Sequence, residues 1–171
     1  MSDAPPAPET PDPETLAFAA RVFAAAREGD AAALEPLLAQ GLPPGLANER
    51  GDTLVMLASY HGHAETVALL LRHGADPDRP NDRGQTPLAG TAFKGETAAA
   101  HALLRGGAGV DAAGPDGRTP LMMAAMFDRV EMVELLLAHG ADRHRRTPEG
   151  VDALGAARAM GARRTPALLE G

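Results

Sequence analysis

The sequence predicts an all-α fold, an α-solenoid of about five stacked helix–turn–helix units joined by hairpin-like loops. Three observations predict it. Glycines recur on three ladders: Gly51, Gly84, Gly117 and Gly150; Gly74, Gly107 and Gly140; and Gly29, Gly62 and Gly95, continued through Asp128 to Gly161. Every step on every ladder is 33 residues, a period that belongs to repeat architectures. The stretches between the ladders also align. "RGDTLVMLASYHGHAETVALLLRHGAD" (50–76) matches "RGQTPLAGTAFKGETAAAHALLRGGAG" (83–109) and "DGRTPLMMAAMFDRVEMVELLLAHGAD" (116–142). Finally, the chain is 44% hydrophobic but only 3% aromatic. Its core must be built from Leu, Ala, Val and Met, which favours small, closely packed helices over a β-sandwich.

The elements follow in order. Residues 1–13 are acidic and Pro-rich and predict a disordered tail. An N-terminal capping unit spans 14–47. It keeps "AAAREGD" and "LLAQG" but lacks a T-P-L opening. Pro36 falls in its second helix and should kink that helix or mark a late start. Three inner units follow, at 48–80, 81–113 and 114–146. In each, Thr53, Thr86 or Thr119 is the expected N-cap of a first short helix, and the Pro after Thr86 and Thr119 tolerates having no N–H to donate. Gly62 and Gly95 should end that helix. A second helix comes next, as in "AETVALLLRH" (64–73), with Val67, Leu70 and Leu71 on one face. Gly74, Gly107 and Gly140 sit where a helix closes in the left-handed conformation. The last unit, 147–171, uses Asp152 as N-cap. It carries Arg158 where the inner units have Ser59, Ala92 and Ala125, so nothing is expected to pack beyond it.

This pattern resembles the ankyrin repeat over roughly residues 15–171. The family's T-P-L stands at Thr86-Pro87-Leu88 and Thr119-Pro120-Leu121, and its G-A-D at Gly74-Ala75-Asp76 and Gly140-Ala141-Asp142. Departures occur at Leu54 and Val55, at Met56, Ala89 and Met122, and at Gly109, but none removes a helix start or a glycine turn. The resemblance implies an ankyrin-type solenoid that binds another protein without catalysis. Some small bacterial ankyrin proteins are associated with oxidative-stress enzymes such as catalase.

Bulk properties narrow the function. A net charge of −7 argues against general affinity for nucleic acid or anionic membrane, since both attract a positive surface. The chain has no cysteine and no run of 18 apolar residues, so neither a thiolate metal site nor a membrane span is expected. Its start has no signal-peptide pattern, and a soluble, monomeric cytoplasmic protein is the expectation. Lys94 is the only lysine and isoleucine is absent, usage that points to a GC-rich bacterial genome. No cofactor motif stands out: there is no G-x-S-x-G, no P-loop and no H-E-x-x-H. His61 and His63 flank Gly62, where the family commonly carries Gly-His, and "RHRR" (143–146) reads as a solvated loop or an anion contact. A small metal-dependent hydrolase using Asp and His remains the alternative class.

The candidate contact residues come from register. Leu88, Thr91 and Ala92 lie at i, i+3 and i+4 and define the buried face of their helix. Phe93 lies about 140° around from Leu88, off that face. Its equivalents are Tyr60 and Met126; the residues next to them are His61, Lys94 and Phe127. In the ankyrin family these two positions line the concave face. Loop tips add Arg50 and Asp52, Arg83 and Gln85, and Asp116 and Arg118 as a polar rim. The alternative is that the large side chains only cover neighbouring repeats.

Overall fold

The computed structural model describes residues 11–170. Among these it forms ten helices in five antiparallel pairs: α1 (Pro13–Glu28) with α2 (Ala31–Ala39), α3 (Leu54–Tyr60) with α4 (Ala64–Arg72), α5 (Pro87–Lys94) with α6 (Thr97–Arg105), α7 (Pro120–Met126) with α8 (Val130–Ala138), and α9 (Ala153–Ala159) with α10 (Thr165–Leu169). The first helices α1, α3, α5, α7 and α9 stack in one layer. The second helices α2, α4, α6, α8 and α10 stack in another. The described residues form no β-strand; one isolated bridge joins Ala47 to Thr53.

Local chemistry sets each boundary. Thr53, Thr86 and Thr119 are extended, and their hydroxyls accept from the N–H of Met56, Ala89 and Met122. Asp152 does the same for Gly155. Two N-terminal expectations need correction. Pro13 is helical, with Asp12 capping Thr15, so the expected tail of 1–13 runs one residue into α1. Residues 1–10 lie outside the described chain. Pro36 neither delays α2 nor breaks it: the helix starts at Ala31, capped by Asp30, and runs through Pro36. At that point Pro36 sacrifices one N–H bond while Leu34 and Leu38 stay buried.

The core lies between the layers. Val55, Leu88 and Leu121 recur there from the first helices. Val67, Ala100 and Val133 recur from the second helices, and all six are fully buried. Among the described residues, one buried side-chain polar atom lacks a partner: the Thr66 hydroxyl is buried without a hydrogen bond. Ala99 and Met132 stand at its register. Thr66→Val keeps the shape and removes an unsatisfied group. It should raise the unfolding free energy by roughly 1 kcal/mol, and no gain in a denaturant titration would mean that the hydroxyl has a partner in solution.

The glycine ladders all sit at positive φ. Gly107, at φ 95, has open space around its missing Cβ. A side chain there meets no neighbour, and the cost is backbone strain alone. Gly107→Val should lower stability by roughly 1–3 kcal/mol. A melting temperature equal to wild type would show that the turn relaxes without loss. Asp128 occupies the same ladder as Gly95 and Gly161 and holds φ 56 with a side chain.

Asp128 keeps this unfavourable conformation because its carboxylate has work there. It accepts the N–H of Arg164 and of Thr165, each at 2.9 Å, and the Arg164 guanidinium bonds its other oxygen. Thr165 in turn donates to the Ala125 carbonyl. These bonds pin α10 onto α7. The Thr165 N–H, then the Arg164 N–H and side chain, hold the Asp128 carboxyl far below its ordinary range. A depressed folded-state pKa gives stability that is complete above the unfolded value. It is lost as pH falls from there toward the folded value. Wild type should therefore lose thermal stability more steeply than Asp128→Asn below about pH 4. Parallel melting curves for the two proteins across that range would refute the pin.

Candidate functional site

The first helices and the loop tips share one face, and its aromatic residues meet. The rings of Tyr60 and Phe93 stack with centroids 6.5 Å apart. Phe93 and Phe127 meet edge to face at 4.6 Å. The Lys94 ammonium lies 5.3 Å from the Tyr60 ring centre, a cation–π arrangement. Phe93 is half-buried and Tyr60 is 36% exposed, whereas Leu88, Thr91 and Ala92 are fully buried. Phe93 is thus off the core face yet not free: it is the middle ring of a ladder crossing three units. The Arg129 guanidinium fixes its backbone by donating to the Phe93 carbonyl at 3.1 Å.

A groove of ≈ 400 Å³ opens beside this ladder. Tyr60, Phe93, Met126 and Phe127 wall it, and Arg83, Gln85, Asp116 and Arg118 rim it. A second, shallower groove of ≈ 700 Å³ adjoins it between α1 and α3. It takes in Arg50 and His61 and shares Tyr60, Arg83 and Gln85 with the first. Lys94 borders neither directly. Burial first, then the charges of His63 and Lys94, lower the pKa of His61 and favour its neutral form.

Asp52 is a correction. It is only 9% exposed. Its carboxylate accepts from the Asn81 amide at 2.8 Å and the Asn48 amide at 3.3 Å, so it joins two loops and has little left for a partner. Asn48 and Asn81 were not anticipated, yet they organise these loops. The Asn48 side chain accepts from the N–H of Arg50 and Asp52, and the Asn81 side chain from those of Arg83 and Gln85. Asn81 is the residue one period after Asn48, and that recurrence could have revealed it.

The groove itself has a signal that residue-by-residue reading passes over. Where α3 has Met56-Leu57 and α7 has Met122-Met123, α5 has Ala89-Gly90. Ala89, Gly90 and Met123 all line the groove. The hollow is the space of two missing side chains between two filled positions. Elsewhere, the His63 Nε2–H donates to the Arg27 carbonyl at 2.8 Å. Arg146 of "RHRR" lies 3.6 Å from Asp152. Among the described residues, no three His, Asp or Glu side chains converge where they could hold a metal ion, and no helix is long and apolar enough to cross a membrane.

Comparison with known proteins agrees with this architecture. The family pattern described as ankyrin repeats (3 copies) matches residues 22–112, and that of a single ankyrin repeat matches 116–148. The chain belongs to the ankyrin repeat family. A Pseudomonas aeruginosa protein named as an ankyrin repeat protein is 56% identical over 61 residues. That match covers 36% of this chain and 34% of the relative, so the chain spans about a third of the relative's length. Ankyrin repeats are in general protein-interaction modules, and the array described above has the rigid stacked form that such modules use. Within it, the ring ladder and its groove lie on α3, α5 and α7, the first helices of the three inner units.

Proposed function

We propose that this ankyrin array is a non-catalytic interaction module that binds a protein partner on the face carrying Tyr60, Phe93 and Phe127. One observation carries the reading: three aromatic side chains of a chain with only five are collected in one contiguous ladder beside an open groove. Partly exposed aromatics gathered in line are characteristic anchors of protein contacts. Stacked units order the face before binding, so association loses less conformational freedom. His61, Lys94, Met126 and the polar groups Arg50, Arg83, Gln85, Asp116 and Arg118 complete the contact surface in this reading. The partner's protein class is open, because the ankyrin architecture serves many unrelated targets.

The test is partner capture from the source cell with tagged wild-type, Phe93→Ala and Arg72→Ala proteins. Arg72 lies at the end of α4, in the second layer. Phe93→Ala should lose the bound protein and Arg72→Ala should keep it. The reverse result would move the contact surface to the second helices.

A further inference from the structure

We infer that the ≈ 400 Å³ groove is a socket for one apolar side chain on an acidic segment of the partner; this rests on the reading of the face just given. The hollow is shaped by subtraction. Ala89 and Gly90 take the places that Met56-Leu57 and Met122-Met123 fill in the adjacent units. Its walls are the rings of Tyr60, Phe93 and Phe127 and the Met123 side chain. A volume near 400 Å³ is at the low end of ligand pockets, which run from about 300 to 1,000 Å³. It has room for a Phe, Trp, Leu or Met side chain together with the backbone of the extended segment that carries it.

The charge around the socket selects the flanks. The two adjoining grooves carry the cations Arg27, Arg50, Arg83 and Arg118 and the acids Glu49, Asp52 and Asp116. Asp52 and Asp116 are held in place and keep their charge. Asp52 is held by Asn48 and Asn81, and Asp116 accepts from the Arg118 N–H and faces its guanidinium at 3.7 Å. Arg50 and Arg83 make no ion pair within the described structure. Lys94 adds a further cation above Tyr60. Counted together these are five cations against three acids, an excess of positive charge on a chain of net charge −7. Carboxylates beside the anchor would meet these arginines, and complementary charge speeds and orients docking.

Gly90→Leu refills the hollow with the residue found at the same register in α3. A Cβ at Gly90 would stand 3.4 Å from Tyr60 Cδ2, ordinary contact, and its φ is not positive. Helical Gly is also unfavourable, so the variant should melt at or above wild type. Ala89→Met is the second filling variant should the first fail to fold. The probe is a library of random nine-residue peptides displayed on phage, selected on the full chain and counter-selected on Gly90→Leu. Enriched peptides should be net acidic with one large apolar residue. Their affinity by fluorescence anisotropy should fall at least about tenfold, 1.4 kcal/mol, on either filling variant. It should also fall on Arg83→Glu. Enrichment of basic or anchorless peptides, no enrichment, or equal affinity for the filled variants would overturn the socket. Self-association of the chain through this face, seen as a dimer in sedimentation that Gly90→Leu abolishes, would overturn the acidic occupant. If the socket fails while Phe93→Ala still loses the captured protein, the binding face stands and only its chemistry is rejected.

Discussion

Leu88→Ala should lower the unfolding free energy by about 2–5 kcal/mol, the cost of a large-to-small change in a sealed core. Leu88 is fully buried on α5, and Val55 and Leu121, also fully buried, are the equivalent residues of the adjacent units. The cavity would open between layers where neither can close it without giving up its own packing. Phe93→Ala on the same helix should cost less than the ~3–5 kcal/mol of a fully enclosed aromatic. It loses one stacked and one edge-to-face contact, worth about 0.5–1.5 kcal/mol each beyond area, but its ring is already partly in solvent. Urea unfolding of the two variants measures the contrast. The expected order is Leu88→Ala far below Phe93→Ala; equal losses would place Phe93 in the core and remove the central residue of the proposed face.

The second large effect runs against repeat logic. Position 114 carries Gly where the preceding units carry Asn48 and Asn81, and restoring Asn would ordinarily be expected to rebuild the loop bonds. Gly114→Asn should instead destabilise by about 1–3 kcal/mol. A Cβ at Gly114 would run into the carbonyl oxygen of Gly84. Because this obstacle is backbone, it cannot rotate away. The cause lies next door. Asp82 donates its N–H to the Arg50 carbonyl and ties two loops together. One period later stands Pro115, which has no N–H to give. The loop settles against Gly84 instead. Both Gly84 and Gly114 line the groove, so the variant should also weaken binding there. An increase in melting temperature would show that the loop can return to the Asn48 geometry.

How much was legible follows from what kind of information each feature uses. The helix boundaries at Thr53, Thr86, Thr119 and Asp152 depend on one side chain and the N–H three residues on, so the sequence states them locally. The buried set Leu88, Thr91 and Ala92 follows from helical period alone. Asp52 was misread because its role depends on Asn81, 29 residues away, and a charge at a loop tip looks solvated until the next loop is laid beside it. The late start expected as one outcome of Pro36 is absent, because a helix held by tertiary packing can lose one hydrogen bond. The ring ladder was half legible. Register placed Tyr60 above Phe93, but Phe127 belongs to the neighbouring register position, and only the helix stack brings it edge-on. The groove required comparing absent side chains across units, which inspection of α5 alone does not prompt.

Three of the contacts that sew the units together share one reach. His63 to Arg27, Arg129 to Phe93 and Arg164 to Asp128 each span 36 residues. Beyond its neighbours a unit touches little, and the described ends of the chain do not meet. Such a topology has no obligatory starting point for folding. Any adjacent pair can nucleate, and the remainder can zip on one unit at a time, without waiting for distant ends to find each other. The chain's length then adds steps of equal size to the reaction rather than a higher barrier.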